Sequence, residues 1–208
     1  MKNRILGAAL AALLSTSALA QVNVVPQVGL NTATLRQNTY TAAIKGIVPA
    51  ASTTDFFCIS GSTSKTIKIQ HIELSGSGTL GSSPVYLMHN SILDTGTAAV
   101  VGTYGPVAYG LVSSNPTATA TVVAYNTTGG NPTIGGTATL FRSGNISISP
   151  TATTTAANAP LVWDFSTNVS QYDQAPTIPP NTTEQFCLNL AASSLTAVLQ
   201  GFIEWTEE

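Results

Sequence analysis

Hydrolysis and metal binding need histidines, cysteines and carboxylates at defined spacing, and this chain offers few of them. Its two histidines, His71 and His89, each lie inside an alternating apolar and polar run. No Cys/His/Asp set has the spacing of metal ligands with the supporting shell such a site requires. Both histidines therefore read as partly buried strand residues, with no metal and no cofactor expected. Asp164 sits in "LVWDFS" between Trp163 and Phe165. An acid desolvated by aromatic rings can act as a general acid, but strand alternation sends the two rings to one side and Asp164 to the other, toward solvent. Glu73 and Glu204 also fall on alternating runs, and no two carboxylates are paired by spacing as in a glycosidase. A hydrolase would need Asp164, Glu73 and His71 to converge in one pocket. No nucleophile elbow, phosphate loop or dinucleotide fingerprint is present, so the expectation is a protein that is not an enzyme.

Cys58 and Cys187 are the only cysteines. In "TDFFCIS", Phe57 and Ile59 share one strand face and Cys58 takes the other; in "EQFCLNLA", Phe186, Leu188 and Leu190 share a face and Cys187 takes the other. Both thiols then point away from the main core, on strands able to lie side by side. A Cys58–Cys187 disulfide is expected. Closing so long a loop contributes about 4–5 kcal/mol in the chain-entropy description.

That pairing needs an oxidising compartment, and the chain begins with an address. "MKNRILGAALAALLSTSALA" places Lys2 and Arg4 before an apolar run from Ile5 to Leu14 and closes on Ala18-Leu19-Ala20. This is the pattern of a secretory signal over residues 1–20, and the apolar run is shorter than the ~20 residues that span a bilayer. The product is expected to be exported, whether periplasmic, extracellular or on the cell surface, with no membrane span in the mature chain. Beyond the signal, five basic side chains against nine acidic ones leave a net charge of −4, which makes no field for phosphate backbones, so no nucleic acid is expected. Charged residues are 8% of the chain, against roughly 25% in ordinary domains. The surface must be dressed in Ser, Thr, Asn, Gln and Gly.

The hydrophobic share of 43% is enough for a core, and its period is two. Strands are predicted over 39–48, 55–60, 65–74, 84–92, 120–127, 137–149, 161–166, 184–191 and 196–207, each short, β-branched or aromatic, and bounded by Gly, Pro, Ser or Asn. No stretch outside the signal keeps a helical period. About nine strands in one domain predict an all-β, antiparallel β-sandwich of jelly-roll type, spanning 39–208, with 21–38 as an N-terminal arm or edge strand. In "KTIKIQHIEL", Ile67, Ile69 and His71 share a face and then Ile72 and Leu74 take the other. A strand of period two cannot change phase without an extra residue, so a β-bulge or a sharp bend is predicted near His71. Residues 94–120 form the longest unassigned stretch, read as a projecting loop with a short strand. Its Tyr104 and Tyr109 are the candidate ligand-binding residues. A sugar-stacking face built on these tyrosines, Trp163 or Trp205 is the alternative to packing those rings in the core.

The segments "GIVPAASTTDFFCISGSTSKTIKIQHIELSG", "PLVWDFS" and the terminal "LQGFIEWTEE" resemble a group of small β-rich proteins found in phage genomes and phage-like regions of bacterial genomes, over roughly residues 39–208. The resemblance implies a jelly-roll structural module with a Trp-Thr-Glu-Glu ending on its last strand. It also implies self-association, with a trimer as the expected homo-oligomer, and a place in a larger surface or virion assembly. The export signal and the cysteine pair are not part of that pattern and fit a captured module exported by a bacterium. The alternative function is a secreted carbohydrate- or cell-surface-binding module.

Overall fold

The period-two pattern folds into eleven strands among the described residues. The computed structural model describes residues 38–49, 53–78, 81–95, 107–108, 117–125, 131–148, 159–166, 174–191 and 197–208. The signal (1–20), Tyr104 and Tyr109 lie outside these residues, as does the arm up to residue 37. The strands are β1 (Asn38–Ile47), β2 (Thr54–Ser60), β3 (Ile67–Gly78), β4 (Gly81–Asn90), β5 (Val107–Ala108), β6 (Thr121–Ala124), β7 (Ala138–Ile148), β8 (Leu161–Asp164), β9 (Thr177–Ile178), β10 (Gln185–Leu190) and β11 (Ala197–Glu207). All nine expected strands exist. The short strand expected within 94–120 is β5, which pairs with β1, while β9 arises in a Pro-rich stretch whose composition reads as loop.

Two antiparallel sheets pack face to face. One runs β5-β1-β11-β3-β8, with β9 also on β3; the other runs β6-β2-β10-β4-β7. Leaving aside the short β5, β6 and β9, the order β1-β11-β3-β8 against β2-β10-β4-β7 is that of a jelly roll, two interleaved Greek keys. The chain passes between sheets at Gly61: β2 belongs to one sheet and β3 to the other, so the turn at "SGSTSK" is a crossover and not a hairpin.

Inward positions alternate as the sequence requires. Tyr40, Ala42 and Ile44 from β1, Ile72 and Leu74 from β3, Val85 and Leu87 from β4, and Leu199, Ile203 and Trp205 from β11 are all buried. Tyr40 stacks on Trp205, centroids 5.9 Å apart. The predicted bulge is present: β11 residues Glu204 and Trp205 pair with His71 and Ile69, leaving Gln70 as the extra residue that resets the phase. A second bulge in β1 skips Gly46, whose φ of 65° is the left-handed conformation that glycine adopts without penalty.

The terminal Trp-Thr-Glu-Glu is a lock. Glu207 is buried and accepts hydrogen bonds from Thr119 N (2.9 Å), Thr119 Oγ1 (2.7 Å), Ala120 N (3.0 Å) and Trp205 Nε1 (3.1 Å). Glu208 exchanges backbone hydrogen bonds with Thr66 at 3.0 Å in both directions and pairs with Lys68 Nζ at 2.6 Å. The last strand is thereby tied to the start of β3 and to the segment entering β6.

Candidate functional site

Outward-facing residues of the β6-β2-β10-β4-β7 sheet line up in a row: Val123, Cys58, Cys187, Met88 and Leu140 are successive cross-strand partners. Cys58 and Cys187 stand directly opposite each other and form a disulfide. Neither belongs to the main core cluster, so the alternation in the two strands put both sulfurs on the outer face as expected.

Around the disulfide lies a polar cluster that no sequence spacing announces. Asp55 (β2) opposes Asn189 (β10) and accepts from Asn189 Nδ2 at 2.6 Å and from Asn90 Nδ2 at 2.8 Å. Beyond β4 the chain turns back over this face and brings Asp94 to the same place. Asp94 Oδ1 accepts from Gln185 Nε2 (2.7 Å), Gly135 N (3.0 Å) and Asn90 Nδ2 (3.1 Å), and its Oδ2 lies 3.7 Å from Cys58 Sγ. The turn is pinned by paired hydrogen bonds between Thr95 and Thr133. Gly135 is required there, since a Cβ would stand 2.3 Å from the carbonyl oxygens of Ile92 and Leu93. Asp55, Asp94, Cys58 and Cys187 each bring an oxygen or sulfur within 4.8 Å of the others.

The electrostatics follow from burial. Asp55 is fully buried; desolvation pushes its carboxyl up to about 6, the two amide hydrogen bonds opposing the rise and Asp94 adding to it. Tyr125, next to the cluster, is pushed up to about 12, by burial first and then by Asp94 and Asp55. A cavity of about 160 Å³ bordered by Cys58, Ser60, Asp94, Tyr125 and Gln185 leads to the cluster from the surface.

A second recess lies at one end of the sandwich. His89 packs against Phe186, its cross-strand partner, with ring centroids 5.0 Å apart and the planes tilted by 43°, and meets Glu184 at 3.3 Å. Phe141 sits edge-on to Phe186 and Phe165 at 5.5 and 6.3 Å. Segment 174–177 divides the region into a cavity of about 390 Å³ with an aromatic wall and a polar one of about 490 Å³ beside Lys68, Gln70 and Glu208.

The remaining residues singled out by sequence go elsewhere. His71, Glu73 and Asp164 lie near one another on the outer face of the other sheet: His71 pairs with Asp164 across β3 and β8 and stacks on Phe202 at 5.3 Å. His71 Nε2 and Glu73 Oε2 are 4.0 Å apart, beyond hydrogen-bond reach, and Asp164 accepts from Ser166 N at 2.8 Å. They do not form the hydrogen-bonded trio that a hydrolase on these groups requires. Trp163 and Trp205 are 8% and 0% exposed, so they are core rings and cannot offer a face to a sugar. No family model, curated protein or solved structure matches the chain.

The cluster around Asp55 was missed because its members are spread from residue 55 to residue 189. The signal that was available is a polar residue at an otherwise apolar strand position: Asp55 before "FFCI", and Asn189 between Leu188 and Leu190. The Cys58–Cys187 disulfide fits a protein of an oxidising compartment, and no helix among the described residues is long and apolar enough to cross a membrane.

Proposed function

We propose that this chain is a non-enzymatic structural protein, an exported jelly-roll subunit that associates with copies of itself in a surface or virion-like assembly related to phage modules. The observation that carries the reading is the apolar surface where β4 ends and β7 begins. Ile92, Leu93, Ile134 and Leu140 are 51%, 40%, 36% and 54% exposed; Leu140 lies on β7, the edge strand of its sheet, and the other three lie in the segments that follow β4 and precede β7. Exposed apolar residues beside an open edge are a liability that soluble monomers suppress with charge or a cover. An identical edge, with its own row of N–H and C=O groups and so few charges to repel it, is the occupant with the best complementarity. The signal-like start supports export, and the resemblance to phage jelly rolls supports a trimer.

The test is the native mass of the mature protein, by light scattering after size-exclusion chromatography. A stable oligomer is expected, and Ile92→Lys with Leu140→Lys is expected to shift it to monomer without unfolding. A strict monomer at all concentrations would remove the proposal.

A second reading, a secreted carbohydrate-binding module, is favoured by the recess at the sandwich end. Its half-exposed Phe141 ring faces polar groups from His89, Thr139, Gln174 and Glu184, a combination of apolar wall and convergent hydrogen-bonding groups suited to a neutral sugar. Binding to a glycan panel that is lost in Phe141→Ala would favour it.

A further inference from the structure

We propose that the cluster of Asp55, Asp94, Asn90 and Asn189 is a calcium site. Two carboxylates meet there, and among the described residues no Lys, Arg or His makes a hydrogen bond or ion pair with either. Their negative charge is met by amide nitrogens alone. This arrangement leaves a debt: Asn90 and Asn189 are 0% and 3% exposed, and the Oδ1 of each is buried with no hydrogen-bond partner. Buried amide oxygens without donors cost about 1–3 kcal/mol each. Both side chains are already aimed at Asp55, with Nδ2 2.8 and 2.6 Å from its oxygens.

A half-turn of each planar amide exchanges nitrogen for oxygen with little change of shape. In that orientation Asn90 Oδ1 and Asn189 Oδ1 replace the two NH2 groups facing Asp55. The cluster then presents only oxygens to a common centre: one or both from Asp55, one or both from Asp94, and one from each asparagine. Such a set repels itself unless a cation occupies the centre; with a cation both orphaned oxygens gain a partner, in exchange for the hydrogen bonds that Asn90 and Asn189 Nδ2 make to Asp55 and Asp94.

The class of cation follows from the donors. With the disulfide closed, Cys58 and Cys187 offer no thiolate, which excludes them as ligands for a soft metal. Four to six hard oxygens with two carboxylates suit Ca²⁺, which takes six to eight oxygen ligands at 2.3–2.6 Å and tolerates irregular geometry. The cavity of about 160 Å³ beside Asp94 and Tyr125 has room for water ligands at the remaining positions. Strand pairing fixes Asp55, Asn90 and Asn189, while Asp94 arrives from the turn at 91–95. Calcium would therefore fasten that turn onto the sheet.

The experiment uses the oxidised, chelator-treated mature protein. Ca²⁺ is titrated by calorimetry up to about 10 mM, which covers the ~10⁻⁴–10⁻³ M affinities of extracellular calcium modules, and thermal unfolding is followed with and without the ion. Expected are one ion per chain and a rise in Tm of several degrees. Asp55→Asn and Asp94→Asn should each weaken binding by at least about tenfold while remaining folded. Asn189→Asp, which adds a ligand charge, should tighten it and raise the Ca²⁺-dependent gain in Tm; a merely structural hydrogen-bond network would respond to that substitution only with destabilisation. Tb³⁺ in place of Ca²⁺ should show emission sensitised through Tyr125 and lost in Tyr125→Phe. Absence of any heat or Tm shift would overturn the proposal, and so would Zn²⁺ binding that appears only after reduction by a dithiol with no Ca²⁺ binding before it.

Discussion

Glu207 and Asp55 are both carboxylates withdrawn from solvent at the end or start of a strand, one at the close of β11 and the other at the opening of β2. Glu207 is surrounded by donors that have no other acceptor: two backbone N–H groups, a hydroxyl and an indole N–H. Asp55 has only the amides of Asn189 and of Asn90, the latter shared with Asp94, and those amides keep two oxygens unpaired. The first acid is a finished joint between sheet and loop. The second is a site with surplus acceptors, stabilised by a proton or a cation. A buried carboxylate thus marks structure when its donors are dedicated, and a candidate site when acceptors outnumber them.

The comparison can be broken most strongly beside Asp55, where the disulfide braces β2 against β10. Replacing both cysteines, Cys58→Ala with Cys187→Ala, should lower stability by about 4–5 kcal/mol, measured by urea denaturation; a loss under ~1 kcal/mol would mean that strand pairing alone holds the face together. On the other side, Glu207→Ala strands the Thr119, Ala120 and Trp205 donors and should cost about 3 kcal/mol, with Glu207→Gln costing roughly half because one acceptor oxygen remains. Equal, small effects would show that water reaches those donors.

The pH response should separate the two regions further. Asp55 is raised to about 6 in the folded chain, so the folded state binds its proton more tightly than the unfolded one. Its contribution is complete below about pH 4 and is lost as pH rises through 6, on the order of 3 kcal/mol by pH 8 in the presence of chelator. The groups facing it are Asp94 from the turn and Tyr125 beyond β6, with the neutral amides of Asn90, Asn189 and Gln185. The difference between the wild-type chain and Asp55→Asn across pH 4–8 isolates this titration, and a flat difference would contradict it. The smallest effect should be that of Asp55→Asn itself at pH 8 without calcium. The new amide can donate to an orphaned asparagine oxygen, so the variant should be neutral or more stable by about 1 kcal/mol; a marked loss would mean that Asp55 is as structurally dedicated as Glu207.

Much of the fold was legible because a strand repeats every two residues, and a break in that repeat has one meaning. The shift from Ile69 to Ile72 called for a bulge or a sharp bend, and Gln70 supplies the bulge. Cys58 and Cys187 could be paired because each stands opposite its strand's apolar face. What periodicity does not carry is which strands are neighbours. The turn at Gly61 is short, yet it moves the chain from one sheet to the other. Nor does it show that a turn after β4 folds back over Cys58, or that β7 is left as an edge with Leu140 exposed.

The sequence by itself determined the class: alternation, β-branched residues and breaker-rich loops commit the chain to antiparallel sheets, and the polarity of each face follows from the same period. Only the tertiary structure decided the site. Asp55, Asn90, Asp94 and Asn189 come from three strand regions and a turn, and their contact depends on strand order, which is set by the packing of two whole sheets and not by any local preference of the residues involved.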